Sequence, residues 1–129
     1  MYKNIVCVAS GGAMGAVLRY CISLIPSDTD FPFQTFITNI TGALAIGFIT
    51  AFAVLYAERT AGKIPIRLLL LFKTGFCGGF TTFSTFALET VTLFEKGYRN
   101  TGFIYPIMSL LAGVGAVMLG EFLADLIIG

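Results

Sequence analysis

The feature that most constrains this chain is that four long apolar runs consume nearly all of it. They run from Ile5 to Ile25, Phe33 to Tyr56, Leu68 to Phe94 and Phe103 to Ile128. Each is long enough to cross a hydrocarbon core, which needs about 20 predominantly apolar residues. The connectors, Pro26 to Asp30, Glu58 to Lys63 and Glu95 to Asn100, are too short to hide a soluble domain. The expectation is an all-α membrane protein, one transmembrane domain over residues 1–129 with four transmembrane helices. Composition agrees, with 57% hydrophobic and 12% charged residues, where soluble domains carry about 25% charge. The first run is longer than the apolar stretch of a typical secretion signal, contains Arg19, and ends at Pro26 without a small-residue cleavage motif, so it reads as a retained span.

Other classes fall away on residue counts. Eight Lys and Arg against seven Asp and Glu give a formal net charge of +1, so no basic surface exists to attract nucleic acid. Histidine is absent and the cysteines, Cys7, Cys21 and Cys77, are odd in number and isolated. Neither a zinc cage nor a disulfide framework can be written, and Ser-His and Cys-His catalysis disappear with the histidine. The chain is not expected to be an enzyme.

Four spans put both termini on one side of the membrane. Lys3, Arg59, Lys63 and Arg67 then face Lys96 and Arg99 across it, a bias of four against two. Two readings stand on charge alone: insertion in both orientations, which permits an antiparallel homodimer with inverted symmetry, or a modest bias that fixes one orientation. Small residues recur at helical spacing: Gly11 and Gly15, Gly12 and Ala16, Ala43 and Gly47, then Ala112, Ala116 and Gly120. In lipid such faces let backbones approach closely, so these helices should pack tightly.

The third run carries the most information. Its middle, Gly75-Phe76-Cys77-Gly78-Gly79-Phe80-Thr81-Thr82-Phe83-Ser84-Thr85-Phe86, joins adjacent glycines to paired threonines and predicts a helix broken at mid-membrane. A break frees backbone groups that survive in lipid only when buried in protein or lining a polar cavity. Freed carbonyls with threonine hydroxyls suit a small hard cation, a half-helix N-terminus suits an anion, and a kink filled by neighbouring helices needs no ion. Beyond the glycines, Phe80, Phe83 and Phe86 recur at i, i+3, i+6, with Ser84 and Thr85 between the rings. Asn39 adds an amide in the second span, and Tyr105 and Ser109 lie four apart in the fourth. Donors without fixed negative charge, with ring edges of positive potential, favour an anion route. Arg19 and Lys73, each costing about 2.5–3.5 kcal/mol at the centre of a span, should face a vestibule, an interface or a partner. Glu89 follows Phe86 by three residues, while Glu121 and Asp125 read as interfacial.

Two motifs carry a resemblance. Gly11-Gly12-Ala13-Met14-Gly15-Ala16-Val17-Leu18-Arg19-Tyr20 in the first span and Gly78-Gly79-Phe80-Thr81-Thr82-Phe83-Ser84-Thr85-Phe86 in the third, with Asn39, Gly42 and Gly47 between them, resemble the Fluc (CrcB) family of fluoride channels over the whole length. The resemblance implies a fluoride-selective passive channel that exports fluoride from the cytoplasm. It also implies a dual-topology antiparallel homodimer in the bacterial inner membrane, with two pores and one structural sodium ion at the dimer centre. By the same resemblance, main-chain carbonyls of Gly78 and Thr81, one pair from each subunit, hold the sodium. Phe83, Phe86, Asn39, Ser84, Thr85, Tyr105 and Ser109 correspond to the fluoride pathway, Glu89 to the third-helix carboxylate and Arg19 to the first-helix arginine.

Fluoride is small and strongly hydrated, so crossing requires donors that replace water in steps, each weak enough for release. Two rivals are a four-span proton-coupled exporter, which needs a deep titratable carboxylate although the first two spans contain no acid, and a membrane scaffold in which Gly, Phe and Thr serve packing alone.

Overall fold

The computed structural model describes residues 1–129. Six α-helices and one π-helical segment account for it: α1 (Tyr2–Ser23), α2 (Phe33–Thr60), α3 (Ile66–Leu69), the π segment (Leu70–Cys77), α4 (Gly78–Phe80), α5 (Phe83–Glu95) and α6 (Arg99–Ile128). Four helical stretches are long and apolar enough to cross a membrane: Tyr2–Ser23, Phe33–Thr60, Ile66–Glu95 and Arg99–Ile128. They coincide with the four runs read from the sequence, their ends displaced by a few residues. The second span continues through Glu58 and Arg59 until Ala61 takes a left-handed conformation (φ 53°) and Pro65 blocks further helix. The third ends at Gly97 (φ 85°), where Gly97 N–H donates to Phe94 O at 3.0 Å and Tyr98 N–H to Leu93 O at 2.9 Å. That paired closure needs a residue tolerant of positive φ, which glycine supplies.

Packing follows the small residues. α1 lies along the third span and α2 along α6. Cβ atoms added to Gly11 or Gly15 would meet the backbone of Leu71, Phe76 and Phe80, and added to Gly47 or Gly120 the backbone of Val117 or Leu44. The backbones are therefore nearly in contact along both seams. Only 15 of 129 residues are buried, so most apolar side chains point outward, as a bilayer requires and water would not permit.

The third span departs from its sequence reading in two places. Gly78 and Gly79 stay helical; the backbone becomes extended only at Thr81 (φ −80°, ψ 157°) and Thr82 (φ −148°, ψ 118°). The glycines serve close approach instead, since a Cβ on Gly79 would collide with Gly12 of α1. The expected stripe of Phe80, Phe83 and Phe86 is accordingly interrupted. Phe80 precedes the extended pair, is buried and stacks on Phe76 at 5.6 Å, while Phe83 and Phe86 form their own pair at 5.8 Å in α5.

Candidate functional site

The extended Thr81–Thr82 pair removes backbone partners, and specific side chains replace them. In an unbroken helix Thr82 N–H would donate to Gly78 O; here it donates to Asn39 Oδ1 at 2.8 Å. Asn39 Nδ2 in turn donates to Thr82 O at 3.1 Å. One carboxamide from α2 thus satisfies both polar groups of Thr82, as an adjacent strand would. Arg19 Nε donates to Gly79 O at 3.3 Å, the carbonyl that Phe83 N–H would otherwise serve. Thr81 donates twice to Cys77 O, from N–H at 3.0 Å and from Oγ1 at 2.9 Å. Thr82 Oγ1 caps α5 by accepting from Thr85 N–H at 3.3 Å, and it pairs with Thr85 Oγ1 at 3.0 Å. No side chain and no loop N–H donates to the carbonyls of Gly78 or Thr81.

Asn39, Gly78, Thr81 and Thr82 face a groove of about 410 Å³, bounded by α2, the third span and α6, whose wall also includes Phe83, Phe86 and Ser109. Ser109 Oγ is buried without a partner. Phe83 is 80% exposed, and a Cβ placed on Gly78 would meet nothing within 4 Å, so this wall is open toward the outside of the chain. Next to the groove the Phe86 ring lies 5.3 Å from that of Tyr105. Tyr105 is fully buried, and its Oη donates to Glu89 Oε2 at 2.7 Å. Thr35 Oγ1 donates to Glu89 Oε1, also at 2.7 Å. Glu89 then reaches a second cavity of about 420 Å³, shared with Asp30, Phe31, Gln34 and Lys96.

Most residues expected from the sequence therefore come together. Asn39, Gly78, Thr81, Phe83, Phe86 and Ser109 share one groove, and Tyr105 and Glu89 continue from it. Thr85 turns toward Thr82, Ser84 is exposed and outside both cavities, and Lys73 is half-buried in the π segment, apart from both. Arg19 serves the Gly79 carbonyl and lines neither cavity. Thr35 and Phe31 were not singled out by sequence. The position of Thr35, one helical turn before Asn39, is the signal that could have found it.

Fold and site together define a small multi-pass membrane protein with polar side chains converging on one non-helical point of a spanning segment. The chain belongs to the family described as CrcB-like protein, Camphor Resistance (CrcB), which matches residues 6–121. Among curated proteins it is 35% identical over 128 residues to the fluoride-specific ion channel FluC of Azobacteroides pseudotrichonymphae genomovar. CFP2, covering 97% of this chain and 98% of that protein. The protein of the same name from Chlorobaculum tepidum is 43% identical over 126 residues, 96% of each chain. That from Rhizobium leguminosarum bv. trifolii is 43% identical over 116 residues, 88% of this chain and 89% of the other. These matches agree with the resemblance carried by the first-span and third-span motifs.

Proposed function

We infer that this chain is a fluoride-selective passive channel, a transport protein and not an enzyme, through which fluoride leaves the cytoplasm down its electrochemical gradient. Export of this kind lowers fluoride toxicity. The observation that carries the reading is the donor-rich, acid-poor groove: the Asn39 amide, the unpartnered Ser109 hydroxyl and the Phe83 and Phe86 rings share one wall. An ion that gives up a tight hydration shell needs several such donors in sequence, none binding so deeply that release fails. Ring edges contribute positive potential without a fixed charge that would hold the anion. By the resemblance Ser84, Thr85 and Tyr105 belong to the same pathway, Ser84 from outside the groove of a single copy, while Glu89, Arg19 and Lys73 serve as vestibule or structural charges.

The reading extends to an antiparallel, dual-topology homodimer in the bacterial inner membrane, with the third span broken at mid-membrane where Thr81 and Thr82 are extended. The open wall at Gly78 and the exposed Phe83 ring support a second copy against this face. A sodium ion fits the same place. No three of the chain's Cys, Asp and Glu side chains converge to hold a metal, whereas the carbonyls of Gly78 and Thr81 have no side-chain or loop donor. Hard cations take oxygen ligands in larger number than two, which favours one pair of carbonyls from each copy. When bound, the ion supplies a fixed positive charge that ties the two chains together.

Two measurements test these readings. Liposomes containing the protein and loaded with potassium fluoride are expected to release fluoride rapidly when valinomycin frees the voltage, with little chloride release in a parallel set. Silent liposomes containing folded protein would overturn the channel reading. A proton-coupled exporter would instead show release that follows an imposed pH gradient. Separately, the melting temperature should be higher in sodium than in a large organic cation, the stabilisation reaching about 2.7 kcal/mol at a hundredfold excess over Kd. Equal melting in both salts would remove sodium from the assembly.

A further inference from the structure

We propose that Phe31, in the connector between α1 and α2, is a positioning residue that holds the Tyr105 ring so that its hydroxyl stays on Glu89. The proposal rests on the channel reading for its effect on flux, though not for the contact itself. Phe31 follows a polar stretch, Pro26-Ser27-Asp28-Thr29-Asp30, yet its ring folds inward. It packs against Phe33 at 4.7 Å, Phe36 at 5.3 Å and, nearly perpendicular at 84°, Tyr105 at 5.4 Å.

Tyr105 is gripped from two sides. Phe86, in the span, lies 5.3 Å away at 57°, and Phe31 supplies the other ring from the connector. With the ring fully buried, these two contacts hold the whole side chain in place, and a side chain free to shift would carry Oη away from Glu89 Oε2, which it meets at 2.7 Å. The carboxylate has one other side-chain donor, Thr35 Oγ1. Loss of the Tyr105 bond would leave Glu89 held by one oxygen and free to turn toward the cavity it shares with Lys96 and Asp30.

The connector is built to keep Phe31 in place. Gln34 Nε2 donates to Ile25 O at 2.6 Å, tying the first turn of α2 to the end of α1. Phe31 O accepts from Phe33 N–H at 2.8 Å and from Thr29 Oγ1 at 3.4 Å. Phe31 also lines the second cavity, beside Asp30, Glu89 and Lys96.

The test uses the full chain in liposomes, comparing the parent with Phe31→Leu, which keeps apolar volume without a ring edge, and Phe31→Tyr, which keeps the ring. Two readouts are taken: valinomycin-triggered fluoride efflux, and the flip rate of the assigned Tyr105 ring by solid-state NMR. Phe31→Leu is expected to accelerate Tyr105 flips and slow efflux about threefold to tenfold, the range into which the energy of one aromatic pair converts. Phe31→Tyr should stay within about twofold of the parent, since the edge contact survives. Unchanged flips in Phe31→Leu would overturn the proposal, as would faster flips with unaltered efflux. A parent that releases no fluoride would overturn the channel reading instead, and the flip rate alone would then decide the contact. If Phe31→Leu does not assemble, Phe31→Met carries the same comparison.

Discussion

Valine in place of Gly15 is expected to prevent the chain from holding its fold. A Cβ at that position would run into the Phe76 carbonyl, and it would lie 2.7 Å from Phe80 N and 3.1 Å from the Gly79 carbonyl carbon. All three are backbone atoms of the third span, and none can rotate aside as the end of a side chain could. Overpacking costs about 1–3 kcal/mol where side chains adjust; here only separation of the two helices relieves the clash. The opposing face offers no slack either, because a Cβ on Gly75 would lie 2.7 Å from Val8 O and 3.0 Å from Gly11 Cα. Displacing α1 also carries away Arg19, one turn beyond Gly15, and with it the hydrogen bond to Gly79 O. Thermal unfolding in detergent measures the effect. Gly15→Val should melt far below the parent or fail to be recovered, whereas Gly115→Val, whose Cβ meets nothing within 4 Å, should melt close to it. Equal melting of the two variants would show that the seam does not depend on backbone contact.

The spans were legible because lipid imposes a length rule that a linear sequence displays directly. Their ends were less so. Helical hydrogen bonding continues into charged residues once a helix has begun, so α2 runs on through Arg59 and α6 starts at Arg99. Chain-reversing conformations at Ala61 and Gly97, and not a change in polarity, set those limits. Where the extended pair falls within the glycine–threonine segment is set by tertiary contact. Intrinsic propensity marks Gly78-Gly79 as the weak point of a helix, but tertiary contact with α1 puts Gly79 to use as a helical residue. The irregular backbone falls instead at two threonines, where partners for it exist.

Those partners explain which parts of the site could be read. Asn39, Ser109 and Tyr105 stand out as polar residues inside apolar runs, and that contrast is visible in one dimension. What each of them touches is not. The bond between Arg19 and Gly79 joins residues 60 apart, and that between Thr35 and Glu89 residues 54 apart. No periodicity within a single span encodes either pairing. Phe31 was invisible for the opposite reason: it lies between a polar connector and the start of the second apolar run, and only the three-dimensional path of the chain turns it inward.

Asn39→Leu is expected to abolish fluoride efflux while leaving the protein folded and membrane-embedded. Leucine is similar in size to asparagine and suits a lipid-spanning helix, so α2 itself should be undisturbed. The loss lies in the carboxamide. Without it Thr82 N–H and Thr82 O have no partners, and each unsatisfied buried group costs about 1–3 kcal/mol. The least costly relief is for Thr82 to return toward helix and offer its N–H to Gly78 O. That rotates Phe83 and Phe86, which follow directly, away from the groove wall they share with Asn39. The substitution therefore removes a donor and displaces two rings together, and flux should fall by far more than the loss of one hydrogen bond implies. Valinomycin-driven efflux from liposomes, beside a circular dichroism melt, measures both parts. Parent-like flux in folded Asn39→Leu would take Asn39 out of the pathway and show that the threonine pair holds its extended form without it. Loss of flux together with loss of fold would place the amide in architecture alone.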